Sequence, residues 1–187
     1  MKNRVTPKNE EIKLNPLKYI LSTTDLKGNI LSVNDYFIEV CKYTRDELIG
    51  SPHNIVRHPD MPKAIFHLMW DHIKNGKNIT AVVKNLAKDG RYYWVITDFE
   101  IRKDQNGNIN RYMAFRQAAP KKIVRSIEPL YQKLLEIEKG DDMKTSLEYL
   151  YGFLEKEKKD YNAFIKKLEQ RSALSAFLIE KAKKLFK

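Results

Sequence analysis

The chain has a single cysteine, Cys41, among 187 residues. That excludes a disulfide framework, and no zinc-ligand spacing is present. Long apolar runs are also lacking. The longest are short stretches such as Ala176–Ile179, far below the ~20 residues a membrane-spanning helix needs. The opening MKNRVTPKNEEIKLNP is polar and holds no apolar core of a secretory signal. A soluble, cytoplasmic protein is expected, and any membrane part would have to come from another chain. Blocks of like charge are missing too. The formal net charge is +11, but it is spread along the chain, with +5 of it on residues 121–187. This argues against a nucleic-acid-binding arm and leaves room for an anionic ligand. No phosphate-binding P-loop, no Ser-His-Asp or Cys-His arrangement and no His-Cys-carboxylate cluster occurs. An enzyme is therefore not expected.

Hydrophobic residues make up 42% of the chain, enough for a real core. Residues 1–16, punctuated by Pro7 and Pro16, read as a mobile arm. In YILSTTDLKGNILSVND, apolar positions flank a polar turn at Asp25–Asn29, which predicts a β-hairpin with Gly28 at positive φ. Asn34 and Asp35 precede a short helix with Phe37, Val40 and Cys41 at helical spacing. Thr44 stands three residues before Glu47, a capping-box spacing, and Gly50 suits the end of that helix. The segment 52–62 carries three prolines and is a constrained loop. A helix follows from Pro62 to Gly76. Residues 79–86, 91–102 and 109–118 read as three strands joined by turns at Gly90 and Gly107. The order β-β-α-α-α-β-β-β predicts an α+β domain over residues 17–120.

After Pro120 the texture becomes helical through residue 187. Ile127, Leu130, Tyr131, Leu134 and Leu135 share one stripe, and Asp141 or Asp142 can cap the helix that follows. Leu147, Leu150, Tyr151 and Leu154 form a second stripe. Tyr161, Phe164, Ile165 and Leu168 begin a third, continued by Leu174, Phe177 and Leu178. The spacing departs from a strict heptad, so packed amphipathic helices are expected rather than a coiled coil. The terminal FLIEKAKKLFK is basic and amphipathic; ordinary helix packing is favoured over contact with an anionic membrane surface.

This order of elements resembles the PAS fold, a five-stranded antiparallel sheet with helices on one face, here followed by an all-helical extension. TDLKGNILSVND, YTRDELIG, KDGRYYWV and YMAFRQ all look like PAS signatures. PHNIVRHPDMP, residues 52–62, is more specific: it resembles the PAS domain of Aer-type aerotaxis and energy-taxis receptors. The likeness continues through Phe66, Met69-Trp70, Val83-Lys84-Asn85 and Tyr93-Trp94-Val95, and covers about residues 19–131. It implies a noncovalently bound FAD. Carried over position by position, the FAD-contacting candidates are Asn34, His53, Arg57, His58, Asp60, Phe66, Trp70, Asn85 and Tyr93. The family's membrane receptors continue into a transmembrane helix, a HAMP domain and a signalling rod. This chain resembles a split version, in which a soluble PAS protein serves a separate membrane-bound chemotaxis transducer and signals redox or energy status through its tail. A homodimer through the domain or the tail is a further partner expectation.

The residues suit such a ligand. Asn34 and Asn85 offer both donors and acceptors to a flavin's pyrimidine edge. Arg57 and His58 suit a diphosphate, and Trp70 offers a flat apolar face. Each also has a plainer reading. Asn34 can cap a helix, Arg57 and Asp60 can pair, and Trp70 can be core. Asn85 is harder to explain, because asparagine is disfavoured within a strand. Cys41 reads as a buried small hydrophobe rather than a photoreceptor nucleophile. A haem PAS domain with His58 or His72 as axial ligand, and a cofactor-free PAS adaptor, are the alternatives.

Overall fold

In the computed structural model the described residues are 5–140 and 142–170. Five strands form one antiparallel sheet: β1 Ile20–Thr24, β2 Ile30–Val33, β3 Ile79–Leu86, β4 Tyr92–Lys103 and β5 Ile109–Ala118. Their spatial order is β2-β1-β5-β4-β3. Strand β5 thus sits at the centre, and β2 and β3 are the edges. Between β2 and β3 the chain crosses one face of the sheet through α1 Asp35–Cys41, α2 Arg45–Leu48, a 3-10 turn over His53–Val56, and α3 Lys63–Lys74.

Local chemistry accounts for these elements. Asn34 caps α1, its side-chain oxygen accepting from the Phe37 amide. Thr44 and Glu47 close a reciprocal capping box on α2. At the β1–β2 turn, Asp25 Oδ1 accepts from the amides of Lys27 and Asn29. Gly28 supplies φ +85 there, and a Cβ on it would lie 2.9 Å from the Trp70 ring. Only glycine lets the turn and that indole meet. The core under the helices is apolar and continuous, with Ile20, Ile30, Phe37, Leu48, Ile65 and Val95 all essentially inaccessible.

Residues 8–12, read as mobile from the sequence, are hydrogen-bonded to the start of β4. The amides of Lys8 and Ile12 donate to the carbonyls of Gly90 and Tyr92, and Tyr92 donates back to Glu10. Backbone pairing of this kind leaves little trace in side-chain pattern, which is why the polar arm hid it.

Helices α4 Lys121–Glu138, α5 Met143–Lys156 and α6 Tyr161–Gln170 follow β5. They close over the β3 edge. The Thr80 amide donates to the Asn162 side chain at 2.8 Å, and the Tyr131 hydroxyl donates to the Val82 carbonyl at 2.7 Å. The Lys84 amide meets the Met61 sulfur at 3.2 Å. These are alternate residues of one strand, whose outward backbone groups would otherwise be free to pair with another chain. Tyr131 also stacks on Trp94 and shares a buried hydrogen bond with Tyr161. On α5, Leu150 and Leu154 are buried as expected, but Tyr151 is exposed, and Ser146 is buried in its stead. Asp142 caps α5. Asp141, the stripe Leu174, Phe177 and Leu178, and the basic terminus lie outside the described residues.

Candidate functional site

A cavity of about 770 Å³ opens between the sheet and α3. This is in the upper part of the range for small-molecule cofactor sites. Its back wall is one face of the sheet. Because side chains alternate along a strand, Val83 and Asn85 of β3, Thr97 and Phe99 of β4, and Tyr112, Ala114 and Arg116 of β5 all face it. The opposite wall is α3, which contributes Phe66, Met69, Trp70 and Ile73 at helical spacing. The β1–β2 turn and the segment at His53 complete the rim, tied together where the His53 amide donates to the Gly28 carbonyl.

Five of the nine residues proposed from the sequence line this cavity: His53, Arg57, Phe66, Trp70 and Asn85. Arg57 lies over the Phe66 ring at 4.1 Å and donates to the Met61 carbonyl. Trp70 meets Tyr112 edge-on at 5.9 Å, and Lys74 stands over its face. Asn85 is 4% exposed. The other four are not lining residues. Asn34 spends its amide on structure: its oxygen accepts from Leu21 and Phe37, and its nitrogen donates to the Tyr19 carbonyl. That is the helix-capping reading. Asp60 pairs with Lys84 at 3.0 Å, not with Arg57. His58 is buried beside Tyr92, and its Nδ1 accepts from the Asp60 amide. Burial, and then the Lys84 charge, push the His58 pKa down to about 4. Tyr93 is fully buried next to Asn85, and its hydroxyl makes no hydrogen bond of good geometry. Burial raises its pKa well above the ordinary phenol range.

The structure adds a cluster that the sequence reading did not single out. Arg116 is 2% exposed and lines the cavity. Its Nη1 donates to Ser22 Oγ at 3.0 Å and its Nη2 to His53 Nε2 at 2.8 Å. A guanidinium only donates, so His53 Nε2 is the acceptor and the ring is neutral. Desolvation, followed by the Arg116 charge, holds the His53 pKa well below its usual value. Burial lowers the Arg116 pKa to about 10. No carboxylate is bonded to Arg116 among the described residues. It also lies near the rings of Phe37 and Phe99. On β4, opposite Arg116, the buried Thr97 Oγ1 has no hydrogen-bond partner. A signal was present in YMAFRQ: Arg116 shares the parity of Tyr112 and Ala114, so an inward sheet position carries a charge.

These features fit a flavin. The slot between Phe66, Met69, Trp70 and Val83 is apolar. Asn85, Thr97 and Arg116 put polar groups on its floor, one of them without a partner. Lys27, Arg57, Lys63 and Lys74 gather at the same cavity and suit a diphosphate. The haem alternative finds less: neither His58 nor His72 is among the lining residues. Cys41 is also absent from them, and burial pushes its thiol up to about 11. The described residues hold no cluster of metal-ligating side chains.

A twisted antiparallel sheet of this order, with helices crossing one face over a ligand-sized cavity, defines the class. Residues 30–116 match the family model of the PAS fold, and the sheet and its crossing helices have that fold. Over 115 residues it is 44% identical to the aerotaxis receptor of Escherichia coli K12, a match covering 62% of this chain and 22% of that receptor. It is 23% identical over 92 residues to the biofilm dispersion protein BdlA of Pseudomonas aeruginosa PAO1, covering 49% of this chain and 22% of that protein. The chain thus spans about a fifth of the length of these relatives. Among solved structures, the dark form of the blue-light photoreceptor Aureochrome1 LOV aligns with a TM-score of 0.53 at 18% identity, over 64% of this chain and 86% of that one. An RNA-binding light-oxygen-voltage receptor aligns at 0.54 and 15%, over 63% and 34%. Both likenesses concern the fold alone.

Proposed function

We propose that this protein is a cytoplasmic PAS sensor that binds FAD noncovalently and relays redox or energy status to a membrane-bound chemotaxis transducer through its C-terminal helices. The observation that carries this reading is the cavity. It joins an apolar slot to buried polar groups, within a domain 44% identical to an aerotaxis receptor. FAD would supply a group whose charge and protonation change with its redox state. Asn85 and Thr97 would hold the polar edge of the ring, Phe66 and Trp70 would flank its faces, and the rim cations would hold the diphosphate.

The chain's own connections supply a route outward. Glu138, at the end of α4, accepts from the amides of Lys63 and Ala64 in the first turn of α3 at 2.7 and 2.9 Å, and from Ser146 of α5. Helix α3 carries Phe66 and Trp70, so a shift of that wall pulls directly on the tail. No described helix is long and apolar enough to cross a membrane.

The test is an absorption spectrum of the purified protein, with chromatography of the chromophore released on denaturation. Flavin bands and released FAD are expected. A haem band would overturn the cofactor. A colourless protein that takes up no FAD would favour a PAS adaptor used for docking or dimerisation.

A further inference from the structure

Every residue that lines the cavity lies between Ser22 and Arg116, with one exception. The exception is Met143, the first residue of α5. It stands beyond residues 30–116, the stretch that matches the PAS fold. The tail therefore supplies a piece of the cavity wall. That piece is held from two sides. Glu138 accepts from the amides of Lys63 and Ala64 and from the Ser146 hydroxyl. Ser146 is buried, so this carboxylate pins the first turn of α5 to the first turn of α3, where Lys63 lines the same cavity. Asp142 caps α5 by accepting from the Thr145 amide at 2.9 Å. Met143 itself is 39% exposed, although Ser146 and Leu150 on the same helix are buried. An apolar side chain left part-open at a cavity rim gains when a ligand covers it. Methionine is also unbranched and polarizable, so it adapts to a flat ring.

We infer that Met143 is a specificity-determining residue contributed by the tail: it covers the adenosine half of FAD, which FMN lacks. This deepens the FAD reading and rests on it. The polar groups suited to the edge of the isoalloxazine, Asn85 and Thr97, are on the floor, whereas Lys63 and Met143 are on the rim. A flavin seated ring-inward brings its phosphate to the rim. FMN ends there. FAD continues through a second phosphate into adenosine, whose ring needs an apolar cover. Free-energy coupling between two binding events is reciprocal, so FAD that rests on Met143 also favours the docked position of α5.

The experiment titrates flavin-free wild type, M143A and M143L with FAD and, separately, with FMN. Alanine is a good helix former, and an exposed position tolerates the change. Wild type should bind FAD more tightly than FMN. M143A should lose about fivefold in FAD affinity, the order expected for uncovering part of one side chain, and should keep its FMN affinity. M143L should retain most of the FAD affinity. In wild type, FAD but not FMN should slow hydrogen exchange at the Thr145 and Ser146 amides, and M143A should lose that protection. Equal losses for both flavins, or none for either, overturn the inference while the cofactor stands. If wild type takes up no FAD, the cofactor reading fails and this inference with it. If M143A does not fold, exchange in wild type decides, and equal protection by FAD and FMN overturns the role of Met143.

Discussion

At the scale of single residues, burial governs chemistry more than residue type does. His58 and His53 lie in one compact domain, and both are kept neutral by lost water and by a nearby cation, Lys84 for one and Arg116 for the other. The consequence for stability has a definite sign. In the unfolded chain a histidine titrates near 6.5, whereas folded His58 titrates near 4. Between those values the unfolded state binds more protons, so acid favours unfolding. The contribution of neutral His58 is complete above about pH 6.5 and is lost as pH falls from there toward 4. Urea midpoints measured from pH 7.5 to 4.5 should therefore decline less steeply in H58Q than in wild type. Parallel profiles would show that His58 is protonated in the folded state. Gly28 gives a steric case. G28A places a Cβ at φ +85 against the Trp70 ring, and the backbone strain alone costs about 1–2 kcal/mol. A shift in Trp fluorescence should accompany that loss of denaturation stability, because Trp70 must move. An unchanged emission spectrum would mean the ring does not rest on the turn.

At the scale of elements, the turns, caps and strands were legible and the partners of the tail were not. The capping box at Thr44–Glu47, the cap at Asn34 and the three strands from residue 79 onward lie where the sequence put them, because each is specified by neighbours a few residues apart. Glu138 is different. It caps α3 from 74 residues away, replacing the local cap that Pro62 cannot provide with a side-chain hydrogen bond. Nothing near Pro62 announces this. E138A should cost about 1 kcal/mol, as loss of a helix cap does, and should speed hydrogen exchange at Lys63 and Ala64. Exchange unchanged at those amides would remove the carboxylate from the link between α3 and the tail. The site splits along the same line. His53, Arg57, Phe66, Trp70 and Asn85 line the cavity. Asn34 caps α1, Asp60 pairs with Lys84, His58 packs beside Tyr92 and Tyr93 beside Asn85, contacts that a position in a motif does not announce. Arg116 was open to discovery from strand parity, but its lack of a carboxylate partner among the described residues was not.

At the scale of the whole molecule, the tail is part of the domain's architecture. Its helices cover the outward backbone groups of β3 and pack Tyr131 onto Trp94. A chain ending at residue 120 would expose that edge and the indole together, which is the geometry that invites strand pairing between copies. Sedimentation analysis should find the shortened protein self-associating at concentrations where the full chain does not. Equal sedimentation behaviour would mean that the edge is harmless without its cover.

The sequence by itself determined what depends on nearest neighbours and on period. This includes the strand and helix order, the hairpin at Gly28, the capping of α1 and α2, the apolar stripes of α4 and α6, and the exclusion of disulfide and P-loop chemistry. Only the tertiary structure decided what depends on distant groups meeting. It paired residues 8–12 with the start of β4, laid the tail along the β3 edge, and buried His58 beside Tyr92 and Tyr93 next to Asn85. It also buried Arg116 beside the Phe37 and Phe99 rings, with no carboxylate partner among the described residues. The physical reason is the same throughout: dihedral preference and side-chain alternation are local, whereas burial and electrostatic pairing are set by contacts across the fold.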